Sequence, residues 1–443
     1  MNLKWLILFS VFFLPQFGFT AETLNAQKTA ADISAMGYTQ DSSSQKSTAR
    51  EIFGSKKGYI HPYLSIGEYF TDNLFNTPDN EKSEYTTVFS PGIWLALPAS
   101  RQQLLEVDTL NTSPGGLEVS RFRVEREKRY QAYALYRADI EKQKNFPEED
   151  KVKHRAEGLL QCNFRGGLSV EFMDIYEKDY DPYATGVSRE MDEFDSNFFD
   201  TMIGYRLSPK LRLRADYSLY TLSYDAKRNE FRERDDNTFS GYIFYTVLPK
   251  ISAFVEYEFI DVDYDQNILN SSEEHHYFGG IQWKVSDKSR GRAKLGYGSK
   301  NFDDAGIDNR EDFIAEAQLN HEFTPKTSAY LRLSRKTNET DIREAQDILT
   351  HSVRLGYTQK LTPKVSGSAN AYYVRDSYRG DITVGAKTDE RKDDYYDVGA
   401  ALGYAFKKWL NLSAGYNYTE RHSNFEEFDY QNNTLYLSIT AAL

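Results

Sequence analysis

A turn recurring at nearly constant period limits the fold more than any other feature of this chain. "LSPK" at Pro209 is followed by "VLPK" at Pro249, "VSDK" at Asp287, "FTPK" at Pro325 and "LTPK" at Pro363, in steps of 40, 38, 38 and 38 residues. A weaker relative, "FKKW", contains Lys407 and Lys408. Proline presets the φ angle of a turn's second residue, and the residue before it avoids helical geometry. Each repeat therefore reads as a strand in, a short turn, a strand out and a longer polar loop. A propeller blade of this length would hold four short strands; here there is room for two long ones.

The strands alternate. After the first turn, Leu211, Leu213, Ala215, Tyr217 and Leu219 fall on one face, and Arg212, Arg214, Asp216 and Ser218 on the other. The last strand repeats the scheme: Leu435, Leu437, Ile439, Ala441 and Leu443 alternate with Tyr436, Ser438, Thr440 and Ala442. Such segments run to about ten residues, the length a tilted transmembrane strand needs, whereas sandwich strands average about five or six. Charges deep within the polar face suit an aqueous barrel interior. Connections are short at one end, while the other end carries acidic loops such as "DAKRNEFRERDDN" and "NFDDAGIDNRED". The expected fold is all-β: a transmembrane, antiparallel, up-and-down β-barrel.

Composition supports this and removes other classes. Apart from the extreme N-terminus there is no apolar run of about 20 residues, so helical spans are excluded. Aromatic content is 15%, led by 33 Tyr and 28 Phe, which suits sheets, sugar sites and interfacial girdles alike. A net charge of −12 argues against a nucleic-acid partner. The single cysteine, Cys162, permits no disulfide within the chain and reads as a packed side chain.

The segment "MNLKWLILFSVFFLPQFGFTAETLNA" has a basic n-region at Lys4 and an apolar stretch from Trp5 to Leu14, broken by Pro15 and Gly18. It reads as a secretory signal, assigned to residues 1–21. Residues 22–58 are polar, without strand alternation, and read as a flexible periplasmic arm. The barrel is assigned to residues 59–443. Both termini are expected in the periplasm, which requires an even strand number. With much of "QQLLEVDTLNTSPGGLEVSRFRVERE" set aside as a periplasmic excursion, the count is 18, with 16 the alternative.

The segment "GEYFTDNLFNTPDNEKSEYTTVFSPGIWL" carries a family resemblance. Thr71-Asp72-Asn73-Leu74-Phe75, a spacer with Lys and Ser, and then Ser90-Pro91-Gly92 resemble the opening of the family called putative beta-barrel porin 2. The resemblance continues through "LLQCNFRGGLSVEFMDIYEKDYDP", with Gly166 and Gly167 in a turn, and through the T/S-P-K repeats. It implies an outer-membrane barrel of a Gram-negative bacterium, of the kind associated with exopolysaccharide synthesis and export clusters. The departures are the excursion after Pro98 and the terminal Leu443, where an aromatic residue is usual.

No motif supports catalysis or a cofactor. There is no G-x-S-x-G, no nucleophile with a paired His and no phosphate-cradling Gly loop. His275 and His276 in "EEHHY" would face opposite ways on a strand, and the segment reads as a rim loop rather than a metal site. "DVDYDQN", Asp261 to Asn267, lacks the Gly and Glu of a calcium loop. By parity the pore-lining candidates are Arg212, Arg214, Asp216, Glu256, Glu258, Arg292, Lys294, Arg332, Asn370, Tyr372 and Asn417. Aromatic faces stack on sugar rings, and amides and carboxylates bond hydroxyls. The expected function is an exopolysaccharide channel. The alternatives are a general or sugar-uptake diffusion porin and a structural or adhesin-like barrel. Expected partners are outer-membrane lipid and lipopolysaccharide, the polysaccharide itself and periplasmic export machinery.

Overall fold

The structure is a computed structural model that describes residues 58–100, 111–112, 118–119, 129–181, 192–266, 268–286 and 288–442. The expected signal peptide, the arm up to residue 57 and the terminal Leu443 lie outside the described residues. The strands are β1 (Gly58–Thr71), β2 (Glu84–Ser100), β3 (Asn111–Thr112), β4 (Glu118–Val119), β5 (Tyr130–Gln143) and β6 (Lys151–Asn163). Next come β7 (Leu168–Tyr180), β8 (Glu193–Arg206), β9 (Leu211–Tyr224), β10 (Arg234–Leu248), β11 (Ile251–Tyr264) and β12 (Ser272–Ser286). The last are β13 (Ser289–Phe302), β14 (Arg310–Thr324), β15 (Thr327–Asn338), β16 (Asp347–Lys360), β17 (Val365–Val384), β18 (Lys387–Lys407), β19 (Leu410–Ser423) and β20 (Tyr430–Ala442).

Eighteen of them form one antiparallel sheet, each strand paired with its neighbour in sequence across the excursion. β1 also pairs with β20, so the sheet closes into a barrel. The tiny β3–β4 ladder within the excursion stays outside that sheet, which is why the count is 18 as expected. Gly58 and Ala442 lie at the end that carries the short turns.

The short turns explain the repeated phrase. Ser208 Oγ accepts the backbone N–H groups of Lys210 and Leu211 at 3.3 and 3.0 Å. Thr362 Oγ1 does the same for Lys364 and Val365 at 3.1 and 2.9 Å. The hydroxyl thus holds the turn, proline sets its backbone and lysine reaches into water. Where the phrase is missing, Gly166 and Gly167 make the turn with φ of +96° and +91°, values that disfavour a side chain.

Alternation decides the two faces. Leu295, Leu402 and Val255 are 60%, 57% and 56% exposed on the outside, while their sequence neighbours Lys294, Ala401 and Glu256 are buried inside. Cys162 belongs to the outward set of β6, opposite Val170 and Tyr130 on its neighbours.

The strands are longer than the expected ten residues, from 12 in β15 to 21 in β18, so they project beyond the apolar band. "DAKRNEFRERDDN" is consequently loop only as far as Glu233; strand resumes at Arg234. "EEHHY" is likewise not a rim loop but part of β12. Its histidines do face opposite ways, His275 to Tyr257 outside and His276 to Glu258 inside.

The T-D-N-L-F motif lies at the seam. Asp72 accepts the backbone and side-chain N–H groups of Asn433, both at 2.7 Å. The fully buried Asn73 donates to the carbonyls of Thr77 and Gln431 at 2.8 and 2.9 Å, and Asn432 donates back to the Asn73 carbonyl at 2.8 Å. The motif is a clasp between the first loop and the last strand.

Two outcomes follow. Leu213→Arg or Leu295→Arg places a charge against lipid and should cost about 2–4 kcal/mol near mid-bilayer, reducing the folded, heat-modifiable band on gels. Arg212→Leu should leave that band nearly intact, and equal loss in both sets would refute the assignment of faces. Asn73→Ala should cost about 1–3 kcal/mol, because it strands buried carbonyls. The midpoint of urea unfolding reports it, and an unchanged midpoint would mean the ladder alone holds the seam.

Candidate functional site in the barrel interior

All eleven sequence candidates fall on the inward-facing parity of their strands, but they form three groups rather than one ring. The first is a charged ladder on β9 to β13. Arg214 Nε donates to Asp216 at 2.7 Å. Glu256 accepts from Arg292 at 2.9 Å and from Lys294 at 2.8 Å, and Lys294 also lies 3.3 Å from Glu316. Glu258 meets Ser240 at 3.2 Å and His276 at 3.0 Å, and the other imidazole nitrogen lies 2.9 Å from Glu274. Lys300 links Glu274 to Glu339 at the loop end.

Cations of this ladder cover aromatic rings. Arg212 lies 4.0 Å from the Phe244 centroid, Arg292 4.4 Å from that of Phe254, and Lys294 3.8 Å from that of Phe278. Such contacts hold long side chains flat against the wall.

The second group is on β15 to β17. Arg332 and Arg354 are directly opposite in the ladder, and Arg354 stacks 4.2 Å from the Tyr372 centroid. Tyr372, expected to offer a bare ring to sugars, thus has one face occupied by a guanidinium. The third group centres on Asp397, which accepts Asn370 at 2.8 Å and Asn417 at 2.6 Å. Beside it runs a hydroxyl strip: Ser65 bonds Thr440 at 2.9 Å and Ser413 bonds Ser438 at 2.6 Å.

Two features went unread in the sequence. Part of the interior is apolar: Trp94, Tyr133, Leu135, Leu159, Met173, Phe198, Tyr220 and Leu222 form one buried cluster. The signal is present in β9, where Tyr220, Leu222 and Tyr224 continue the parity of Arg212 and Arg214.

The other is an inward-folded outer mouth. The β15–β16 loop buries Ile342 and Ala345 against Ile348, Tyr378 and Ile382. Gly380, at φ +131°, permits this, since a Cβ there would lie 2.5 Å from the Glu344 carbonyl. The loop's Glu339 accepts from Tyr264 of β11 at 3.1 Å. Arg232, in the β9–β10 loop, donates to Asp181 of the β7–β8 loop at 2.6 Å, lies 3.9 Å from Asp341 and stacks 4.4 Å from the Tyr224 centroid. Eight strands, β8 to β15, separate the outer two of these connections on the short side, about 38 Å along the wall at ~4.8 Å per strand. Loops that meet over such a span have left the wall and narrow the opening. Burial pushes the Asp181 carboxyl above its ordinary range, with Arg232 opposing, so acidification removes this charge sooner than it would from an exposed aspartate.

Among the described residues no group of His, Cys, Asp and Glu is placed to hold a metal ion.

The sequence profile of a family described as putative beta-barrel porin 2 matches residues 54–443. No curated protein matches the chain. Similar solved structures include Pseudomonas aeruginosa OpdK with vanillate, 11% identical over 88% of this chain and 100% of that one, at a TM-score of 0.43. Another is Pseudomonas aeruginosa OccK2 (OpdF) in complex with glucuronate, 11% identical over 87% of this chain and 100% of that one, also at 0.43. Pseudomonas aeruginosa OpdO is 12% identical over 87% of this chain and 97% of that one, at 0.41.

Arg232→Ala should release the inward-folded loops, because it leaves Asp181 buried without its cation at a cost of about 3–5 kcal/mol. In planar bilayers single-channel conductance should rise. Lys227→Ala, an exposed side chain of the same loop, should leave conductance nearly unchanged. Equal conductance for Arg232→Ala and the parent would mean that these loops do not limit flow.

Proposed function

Because the chain belongs to the putative beta-barrel porin 2 family, whose members span the Gram-negative outer membrane, we propose that this channel conducts an exopolysaccharide outward. The observation that carries the reading is the strip of hydroxyl and amide groups on β1 and β17 to β20, set beside a wall whose charges bond one another. Ser65, Thr440, Ser413 and Ser438 can each exchange a hydroxyl partner in the wall for a hydroxyl of a passing sugar. Asn370, Asn417 and Asp397 offer the same exchange through amide and carboxylate.

The net gain of such an exchange is small, since one hydrogen bond replaces another of similar strength. That suits a conduit, which must release what it binds. The paired charges serve the same end: Glu256, shared by Arg292 and Lys294, does not present an isolated carboxylate to the polymer. The eleven lining residues therefore act as a low-affinity guide, with water filling the space between polymer and wall.

The outer mouth adds a condition. With the β15–β16 loop folded inward, an extended chain passes more readily than a branched or compact solute, so the channel selects for cross-section more than for sugar identity.

Deleting the protein should abolish or trap a secreted polymer while small-solute uptake continues. In planar bilayers long oligosaccharides should block ion current briefly, and Asn417→Leu should shorten the blocks more than it alters open conductance. Normal extracellular polysaccharide combined with reduced uptake of small sugars would replace this reading with a diffusion porin.

A further inference from the structure

The outward face of β15 to β18 changes character row by row, and ladder register fixes the rows. One row is Leu331, Leu355, Ala371 and Val398, all apolar. The next towards the loops is Leu333, Val353, Tyr373 and Tyr396, with the two tyrosine rings 5.1 Å apart. Above it stand Arg335, His351, Arg375 and Asp394, followed by His422 on β19. Apolar, aromatic and basic rows in this order are what a wall presents as it leaves hydrocarbon for the headgroup layer.

The basic row has a specific geometry. Arg335 Nε donates to His351 Nε2 at 2.9 Å. That nitrogen must therefore be the acceptor, which puts the ring proton on Nδ1. Nδ1 is buried and has no hydrogen-bond partner in the protein, so the row contains a donor with nothing to donate to. His351 stands between Arg335 and Arg375 in the ladder. The acids facing the group are Asp394, 3.9 Å from Arg375 and already bonded by Tyr373 at 2.6 Å, and Asp312, 3.6 Å from Arg335. The Arg375 side chain is 50% exposed. Two partly exposed guanidiniums, with the imidazole between them holding Arg335 in place, call for an anion with several acceptor oxygens.

We propose that Arg335, His351 and Arg375 form a binding site on the outer wall for a phosphate group of lipid A, the glycolipid of the outer leaflet. The sugar backbone of the lipid would lie over Tyr373 and Tyr396 and its acyl chains along Leu333, Val353 and the apolar row below. The site goes beyond the channel function and does not depend on what passes through the lumen. It requires only that the long loops face outward.

The test uses the full-length barrel, extracted in mild detergent, delipidated and titrated with bisphosphorylated lipid A under native mass spectrometry. The parent should take up one tightly bound lipid A, and Arg335→Gln with Arg375→Gln should weaken this about ten-fold or more. The paired Lys replacements should retain most of the binding. Heat-modifiable mobility verifies folding, and Arg375→Gln alone, changing a half-exposed side chain, serves if the double variant does not fold. Equal affinity for dephosphorylated lipid A, or no loss in either Gln variant, would overturn the proposal. Displacement by millimolar inorganic phosphate would make this a generic anion site and would overturn it too.

Discussion

Within hydrocarbon no backbone donor or acceptor can be left unpaired. Here that demand is met by eighteen strands that leave no edge, and the critical place is the junction of β1 with β20. Their ladder spans only Tyr63–Thr71, because the lower residues of β1 pair with β2 alone. A short ladder between the first and last strands is the place where a barrel would open. The clasp of Asp72 and Asn73 on Gln431 and Asn433 reinforces the loop end of this junction. A phrase that resembles a family's loop signature thus serves closure.

Much of this was legible because a strand's period of two leaves little freedom once one face must meet lipid. Leu213 and Arg212 could only go to opposite sides, and Pro209, Pro249, Pro325 and Pro363 could only sit in turns between strands. Strand number followed from the same logic once the excursion was set aside. The clasp was legible as a motif but not as a contact, since Asn73 and Gln431 are 358 residues apart in sequence.

Other parts were hidden because parity says which way a side chain points, not what it will meet. Tyr220 and Leu222 point inward, as their position demands, yet they pack in an apolar cluster instead of facing water. The expectation of a wholly polar interior assumed that every inward group is solvated. Inward-folded loops break that assumption, and their trace in the sequence is the occasional apolar residue in a polar stretch: Phe231, Leu269 and Ile342. Each finds a buried site under the rim.

Pairing of charges links architecture to transport. A buried ion pair adds little net stability, whereas losing one partner is costly, so the ladder from Arg214 to Lys300 acts mainly to fix side-chain positions. Fixed side chains hold the inner face of the wall in place, and their mutual neutralisation leaves few isolated charges on it. The Arg232 bolt applies the same chemistry where movement is wanted. Its three loops are joined by one guanidinium and two carboxylates rather than by a ladder of backbone bonds. Side-chain pairs at the mouth can break and re-form without disturbing the sheet, while the wall beneath cannot shift without exposing its backbone to lipid. Rigidity in the wall and adjustability at the mouth therefore come from which groups carry the hydrogen bonds.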